Sequence, residues 1–446
     1  MKPKQSKPTK GAQFSATSMQ DSSFKIPVLP VELIMEILLK IPVKSLLQFR
    51  CVSKSWLSLI SSPEFIKTHL SISANNNNDY NHHRIMFRLV EPEFNLKDCS
   101  LKSLLYDSVT RSFDLDYPMK PPHKPVEIVG SVNNSIPTSV MGSGEDRVDA
   151  DLTPTLEGRK VEIVGSVNGL ICLAIDKEGW FLWNPSLRKF KKLSDSGTTF
   201  SGRHYAMHGF GYDELHNDYK VVGISRILGS DNSRHVELKT CSLKSDSTRI
   251  IHDFHIGVQI DKCGVFVNGR LHWANNTSHR LRSYNGWDII CFDLADGKLG
   301  KVEKPSYGDG DFDFTPCPGA LGSDLCLFCD NRGTQADVDI WVMKTYGVKE
   351  SWTKIFTINR PKDHPAGYLG YLFCPPFCMS NKGEVLCEFG ATIMIYNPKD
   401  DSIRYAEVTN CEAFSDAAIY IESLVWPFCQ KEPRMQVATT STQKAR

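Results

Sequence analysis

The segment VEIVGSVNGLICLAIDKEGWFLWNPSLRKFKKL, residues 161–193, contains an apolar strand, a turn and an aromatic-rich strand. Its runs GLICLAI and WFLW have the length of strands, and acidic and glycine residues separate them. The same strand–turn–strand pattern begins near residues 84, 219, 269, 323 and 383. Because one such unit leaves an apolar face uncovered, the units are expected to stack as repeated antiparallel sheets.

The spacing of these units favours a β-propeller. Successive units lie roughly 50 to 60 residues apart, close to the length of a four-stranded blade with its loops. Kelch blades carry a Gly–Gly doublet, which this chain lacks, and Trp–Asp occurs only at residues 287–288. The residues that mark the spacing are Trp183, Leu243, Phe292, Val342 and Tyr396.

The first interval, from Tyr106 to Trp183, is longer than the others and coincides with a duplication. The octapeptide VEIVGSVN occurs at 126–133 and again at 161–168, with an offset of 35 residues. The second copy continues into an apolar strand, whereas the first continues into the polar sequence NSIPTSVMGSGEDRVDADLTPT. We interpret residues 124–158 as a duplicated flexible insert, which a loop tolerates because closure entropy grows slowly with length.

The bulk composition disfavours several classes of partner. The 52 basic and 51 acidic residues nearly balance, so no global charge favours nucleic acid or an anionic membrane. No stretch has the roughly 20 apolar residues of a membrane span, and the N-terminus lacks a secretory-signal pattern. The 14 cysteines are therefore expected to be reduced, in a protein of the cytoplasm, the nucleus or both.

Residues 25–71 show a helical periodicity that the rest of the chain lacks. Apolar side chains recur at intervals of three and four residues over 33–41 and predict one apolar helical face. Pro42 is expected to end this helix and to open the next. A bundle of about 45 residues cannot bury so much apolar surface alone, so the chain's second domain or a partner protein is expected to cover it.

The sequence of this helical segment resembles an F-box. The matching motifs are LPVEL, EIL, IPVKSL, FRCVSKSW, LISSPEF and HL, which fall within residues 29–70. The resemblance implies docking on a SKP-family adaptor and, through it, association with cullin and RING subunits. By position in the motif, eight residues are implied to contact the adaptor or to support those contacts: Leu29, Pro30, Ile37, Pro42, Leu46, Cys51, Val52 and Trp56.

The remaining chain resembles the F-box-associated interaction domain of plant F-box proteins, often described as F-box/kelch-repeat. The motifs that carry this resemblance are VGSVNGLICL (164–173), LWNPSLRKFKKL (182–193), HGFGYDELHNDYKVVGI (208–224), VFVNGRLHWA (265–274) and IICFDLADGKL (289–299). The two resemblances imply an α+β multidomain chain, in which a small all-α F-box precedes an all-β kelch-like propeller. The expected boundaries are a disordered tail at 1–24, the F-box at 25–71, a linker at 72–83, the propeller-like domain at 84–430 and a disordered tail at 431–446.

Catalytic chemistry is not expected of this chain. Asp309, Asp311 and Asp313 lack the Gly and Glu of a calcium loop, and Cys326 and Cys329 lack a second ligand pair. No cofactor or metal is expected, and a propeller hydrolase or oxidase would need a clustered ligand set that we do not find. The resemblance instead implies the substrate-recognition subunit of an SCF-type ubiquitin ligase. The alternative is a scaffold or decoy that never assembles a ligase.

Target binding is expected at loops on one face of the propeller, because its strands are occupied by packing. Two connections that contain Gly and Pro stand out, at 306–319 and 360–377. Aromatic side chains dominate binding hot spots, and those flanked by Asp and Gly in the first connection are candidates. They are Tyr307, Phe312 and Phe314.

Overall fold

The computed structural model describes most of the chain between residues 29 and 428. The described ranges are 29–75, 80–89, 95–118, 161–175, 178–193, 206–228, 234–251, 258–259, 263–276, 287–306, 314–331, 337–359, 378–411 and 413–428. The predicted tails at 1–24 and 431–446 lie outside these ranges. No helix in the described part is both long and apolar enough to cross a membrane.

Helices dominate the first described range, which contains α1 (Val31–Leu38), α2 (Val43–Phe49), α3 (Lys54–Ile60) and α4 (Pro63–Asn75). Later described ranges contain α5 (Leu101–Tyr106) and a short 3-10 turn at Lys349–Ser351. Pro30 and Pro42 stand immediately before α1 and α2, where a missing N–H leaves no helical hydrogen bond unmade. Residues 29–75 are called the helical module below.

The expected linker at 72–83 is partly packed structure. Helix α4 continues to Asn75, four residues past the expected end of the module, and buries Ser73 on the way. Tyr80, His82 and His83 are also buried. Parts of the expected linker therefore pack against neighbouring elements of the protein.

Strands account for most of the remaining described residues. They are β1 (His83–Leu89), β2 (Asn95–Ser100), β3 (Val109–Arg111), β4 (Phe113–Asp114), β5 (Val161–Val167), β6 (Leu170–Ile175), β7 (Gly179–Asn184), β8 (Lys189–Lys192), β9 (Ala206–Asp213), β10 (Asp218–Leu228), β11 (Arg234–Ser242), β12 (Ser247–Ile251), β13 (Val258–Gln259), β14 (Cys263–Val267), β15 (Arg270–Asn276), β16 (Trp287–Asp293), β17 (Leu299–Val302), β18 (Phe314–Leu321), β19 (Asp324–Asn331), β20 (Val338–Met343), β21 (Trp352–Ile358), β22 (Cys378–Met379), β23 (Val385–Phe389), β24 (Thr392–Asn397), β25 (Ser402–Tyr405), β26 (Glu407–Thr409) and β27 (Phe414–Ile421).

Within the described residues, these strands form six antiparallel four-stranded units. In chain order the units are β27-β1-β2-β4, β5-β6-β7-β8, β9-β10-β11-β12, β14-β15-β16-β17, β18-β19-β20-β21 and β22-β23-β24-β25, numbered here as sheets 1 to 6. A short parallel contact between β9 and β14 joins sheets 3 and 4. Strand β13 lies beside β15, and β3 pairs in parallel with β26.

Apolar side chains pack between each pair of neighbouring sheets and close the six sheets into a ring. The interfaces are represented by Met86 and Ile171 (sheets 1 and 2), Trp180 and Val221 (2 and 3), Val222 and Trp273 (3 and 4), Ile289 and Leu327 (4 and 5), Phe328 and Met394 (5 and 6), and Ile395 and Phe87 (6 and 1). This arrangement confirms the prediction of an all-β, propeller-like domain after a small helical module.

Five of the six predicted strand–turn–strand units are the second and third strands of a sheet, as in β6–β7 and β19–β20. The first unit was predicted wrongly. Its run after Ser100 is helix α5, so Tyr106 lies at a helix end and does not mark a strand. The six-residue run LKSLLY is too short for its periodicity to separate helix from strand, and the Ser100 hydroxyl caps the helix by accepting from the Ser103 N–H.

The second copy of VEIVGSVN is strand β5, paired with β6, whereas the first copy lies outside the described residues. We expect deletion of residues 124–158 to leave the thermal midpoint within a few degrees. A shorter connection loses less closure entropy, and changes at exposed sites stay within about 0.5 kcal/mol. Differential scanning calorimetry of the full chain and the deletion variant measures this. Loss of cooperative unfolding would mean that the first copy is a required strand.

Candidate partner-binding surfaces

Helix α1 carries two apolar faces, not the single face that its periodicity predicts. Leu38 is buried and Ile34 is half-buried, and both pack with Leu46 and Phe65 inside the helical module. In contrast, Ile37 remains 52% exposed. The core of so small a bundle covers only one side of the helix, so the other apolar side is left to solvent or to a partner.

Exposed apolar residues also occur outside α1. Six large apolar residues between residues 29 and 60 are exposed, and they are called the exposed apolar set: Leu29, Val31, Leu33, Ile37, Val52 and Leu57. Leu33 and Ile37 stand four residues apart in α1, which places them on a common side of the helix. Exposed apolar side chains gathered on one small module are characteristic of a protein-binding surface.

Six of the eight residues implied as adaptor contacts or supports are exposed. They are Leu29, Pro30, Ile37, Pro42, Cys51 and Val52. Trp56 is half-buried, with its ring edge-on to Phe49 at a centroid distance of 5.6 Å. Leu46 is fully buried in the module core, so its position suits support of the surface and excludes direct contact in this conformation.

The resemblance to an F-box missed three members of the exposed apolar set: Val31, Leu33 and Leu57. For Leu33 a signal was present in the sequence, because it stands four residues before Ile37 in the predicted helix. For Leu57 the local pattern carries no such signal. Ile60, three residues further along α3, is buried. Only the packing of α3 therefore shows that Leu57 is exposed while Ile60 is buried.

The predicted target-binding aromatics fall at the edge of the described structure. Tyr307 and Phe312 lie outside the described residues, as does the connection at 360–377. Phe314 begins strand β18 and is paired in register with Asn331. The expected connection at 306–319 was therefore drawn too long, because its last six residues belong to a strand in spite of Pro316 and Pro318.

Strand directions place the propeller connections at two ends. In an antiparallel sheet, the turn from first to second strand and the turn from third to fourth strand lie at the same end. Strand β1, the first strand after the helical module, begins at that end, and its partner β27 finishes there. Links from one sheet to the next leave from the opposite end. Strands β17 and β21, from which residues 307–313 and 360–377 continue, both finish at that opposite end.

Side chains capable of chemistry, such as those of Cys326, Cys329 and His208, are buried and are not gathered into a site. Cys326 and Cys329 stand on opposite faces of β19, since Cys329 shares its face with Leu325 and Leu327. Burial raises the pKa of the Cys326 thiol to about 12, which keeps it protonated. Across the described residues, no three His, Cys, Asp or Glu side chains are grouped so that they could hold a metal ion. His208 is fully buried, and burial lowers its pKa to about 4.

Comparison with known proteins follows the division seen in the structure. The model of the F-box domain matches residues 26–68, and the model of the F-box associated beta propeller domain matches residues 134–426. The second match begins after β4, although β1, β2 and β4 complete the same ring with β27. The predicted resemblance to plant F-box proteins is thus confirmed.

Two relatives match over most of this chain and most of their own length. F-box/kelch-repeat protein At3g23880 of Arabidopsis thaliana is 29% identical, over 90% of this chain and 96% of its own length. F-box protein CPR1 of the same plant is 28% identical, over 89% and 88%. Among solved structures, the Pyrococcus horikoshii acylaminoacyl peptidase matches with a TM-score of 0.35 and 8% identity, covering 73% of this chain and 44% of that one; so weak a likeness says nothing about function. The chain belongs to the F-box-associated β-propeller family and carries an F-box domain ahead of its propeller.

Proposed function

We propose that this protein is the substrate-recognition subunit of an SCF-type cullin–RING ubiquitin ligase. The exposed apolar set binds a SKP-family adaptor, and through it the chain joins the cullin and RING subunits. The observation that carries the proposal is the second apolar face of α1, where Ile37 is exposed beside the fully packed Leu38. In the free helical module this face buries no apolar surface and does not add to stability, whereas an adaptor that covers it removes large apolar side chains from water.

In this role the propeller binds the protein to be modified. The end away from the helical module supports target binding best, because the connections at 307–313 and 360–377 leave from strands that finish there. Tyr307, Phe312 and Phe314 remain the candidates for contact. Binding the target at one end and the adaptor at the other leaves both surfaces accessible at once.

The protein contributes proximity and no catalytic group of its own. Ubiquitin transfer then belongs to the conjugating enzyme and RING subunit, and this chain raises the effective concentration of a target lysine near them. The cytoplasm and nucleus, where such ligases and reduced thiols coexist, are the proposed locations. The alternative is a scaffold or decoy, which binds the adaptor without a cullin.

The test of adaptor binding is the change Ile37→Asp. A carboxylate forced into an apolar interface has to lose its hydration, so we expect a loss of about 2 kcal/mol or more, roughly thirtyfold in Kd. The melting temperature is expected to stay unchanged, because Ile37 is already exposed. Affinity is measured by calorimetry with a purified SKP-family adaptor.

The matched control is Leu215→Asp, at a side chain that is 78% exposed in the turn between β9 and β10. This variant should bind the adaptor like the unaltered chain. Unchanged binding by Ile37→Asp would remove α1 from the adaptor surface. Co-purification of cullin and RING subunits with the adaptor then separates a ligase subunit from a scaffold.

A further inference from the structure

The chain returns to the helical module after its last propeller strand. Residues 422–428, called the C-terminal strap, follow β27 without regular secondary structure. The strap begins next to the start of β1, where the Glu422 N–H donates to the His82 carbonyl oxygen over 2.8 Å. Ser423 and Leu424 are buried, although they come after the sheet has ended.

One side of the strap completes the core of the helical module. Leu424 packs in the same apolar cluster as Leu38, Leu46 and Phe65, and Leu187 of the turn between β7 and β8 joins it. The module therefore does not close its core with its own residues alone. It borrows one side chain from the C-terminal strap and one from sheet 2.

The other side of the strap packs on the propeller. Val425, Trp426 and Phe428 lie against the apolar cluster between sheets 2 and 3. The Lys191 ammonium stands 4.2 Å from the centre of the Phe428 ring, a cation–π contact that extends the same attachment. The strap is thus held from both sides, with one apolar surface for each domain.

Asn184 connects the strap to the turn that carries Leu187. Its side chain is fully buried, and its amide nitrogen donates to the carbonyl oxygens of Ser423 (3.1 Å) and Val425 (2.8 Å). Its amide oxygen accepts from the Leu187 N–H over 3.0 Å. A buried amide satisfied on three sides fixes the geometry of both segments, since losing any partner would leave a buried polar group unpaired.

Histidine packing adds a second contact between the domains. His69 of α4 is buried, and its Nε2 lies 3.0 Å from the carbonyl oxygen of Ile41. Its ring stands edge-on to His82 at the start of the propeller, with centroids 5.5 Å apart. Burial lowers the pKa of both imidazoles, so neutral rings pack where charged rings would repel.

We infer that the C-terminal strap, with Asn184 and Leu424, holds the F-box in one fixed orientation on the propeller. The functional consequence of this inference rests on the proposed function: a rigid junction keeps a bound target at a constant distance from the bound adaptor. Asn184 and Leu424 are positioning residues in this scheme, since neither belongs to the exposed apolar set nor to the end where target binding is proposed.

The inference is tested by distance measurement in the full chain, without adaptor or target. Spin labels on genetically encoded ketone residues at Ser58 and Ser323, both exposed, report the distance between α3 and sheet 5 by pulsed electron resonance. We expect one narrow distance distribution in the unaltered chain. Asn184→Ala and Leu424→Ala should each broaden the distribution at least twofold while the propeller melting transition persists.

Asn397 supplies a matched control. It also precedes a proline at the turn from third to fourth strand, in sheet 6, but its amide oxygen accepts only locally, from the Lys399 N–H over 3.1 Å. Asn397→Ala should leave the distribution narrow. If Asn184→Ala unfolds the propeller, Leu424→Ala decides, because its side chain contacts the helical core.

Narrow, unshifted distances in Leu424→Ala would overturn the inference, and so would loss of the propeller transition in that variant. Adaptor affinity is measured on the same proteins and is expected to be unchanged. If the adaptor fails to bind even the unaltered chain, the proposed function fails while the distance result still stands.

Discussion

Ending the chain at residue 413 is expected to abolish cooperative unfolding of the propeller. The truncation removes β27, which is the first strand of sheet 1 and pairs with β1 along its whole length. Phe414 and Tyr420, both buried, leave two different inter-sheet clusters at once. Each large buried side chain contributes about 2–5 kcal/mol to stability. Losing both side chains and the hydrogen bonds of the strand therefore removes a free energy comparable to the whole free energy of unfolding of a typical domain, about 5–15 kcal/mol.

Polar contacts make the same strand hard to replace. The Tyr420 hydroxyl donates to the Asp98 carboxylate, which also pairs with the Arg84 guanidinium. Removing Tyr420 therefore leaves a carboxylate of the sheet interior short of one donor. Truncation additionally exposes the edge of β1 and opens the ring, and an open apolar edge favours association between chains.

A graded series of end points separates ring closure from the rest of the C-terminus. A chain that ends at Phe428 should unfold like the full protein, whereas one that ends at Ile421 keeps β27 and loses only the strap. Near-ultraviolet circular dichroism during thermal unfolding measures the transition of the chains that end at 413, 421 and 428, and native mass spectrometry measures their association. A sharp transition at the normal midpoint in the chain ending at 413 would show that sheet 1 closes without β27.

Gly169→Ala is expected to destabilise the protein by roughly 3 kcal/mol or more. Gly169 has φ +78° in the turn between β5 and β6, and an added Cβ would stand 2.3 Å from the Ser423 hydroxyl oxygen and 2.4 Å from the Ile421 carbonyl oxygen. The conformation alone disfavours alanine by about 1–2 kcal/mol. The contacts add to this, because one of the opposing atoms is backbone.

Gly269→Ala is the matched control for this change. Asn268–Gly269 makes the corresponding turn between β14 and β15, with φ +72° at the glycine and nothing within 4 Å of an added Cβ. Only the conformational term of about 1–2 kcal/mol should remain. Chemical denaturation of both variants measures the difference, and equal losses would mean that the strap moves aside freely.

The same glycine explains which copy of the duplicated octapeptide serves as β5. The second copy is followed by Gly169, and the first is followed by Asn134. A side chain at this turn would collide with Ser423 and Ile421, so the first copy does not fit the turn between β5 and β6. The sequence indicated the choice through polarity, and the structure supplies a steric reason.

Local pattern was sufficient where each strand or helix finds its neighbour nearby in the chain. Units such as β6–β7 and β23–β24 are hairpins whose alternation and turn residues predict the pairing. The F-box motif likewise specified the short helices and their proline starts. Local pattern failed at Leu101–Tyr106, because six residues satisfy both the helical and the strand periodicity. The helix is stabilised by packing of Leu101 and Leu104 between sheets 1 and 6.

The sequence by itself determined the two-part architecture, the family and the residues implied to meet the adaptor, because those features follow from periodicity and motif spacing. Only the tertiary structure decided which side of α1 stays exposed, which strand closes sheet 1, and that Leu424 completes the F-box core. These outcomes join residues far apart in the chain, such as Arg84, which pairs with Tyr420 across β1 and β27, and Leu38, which packs with Leu424. Such pairings depend on the closed ring, since no local pattern records which distant segment covers an apolar face.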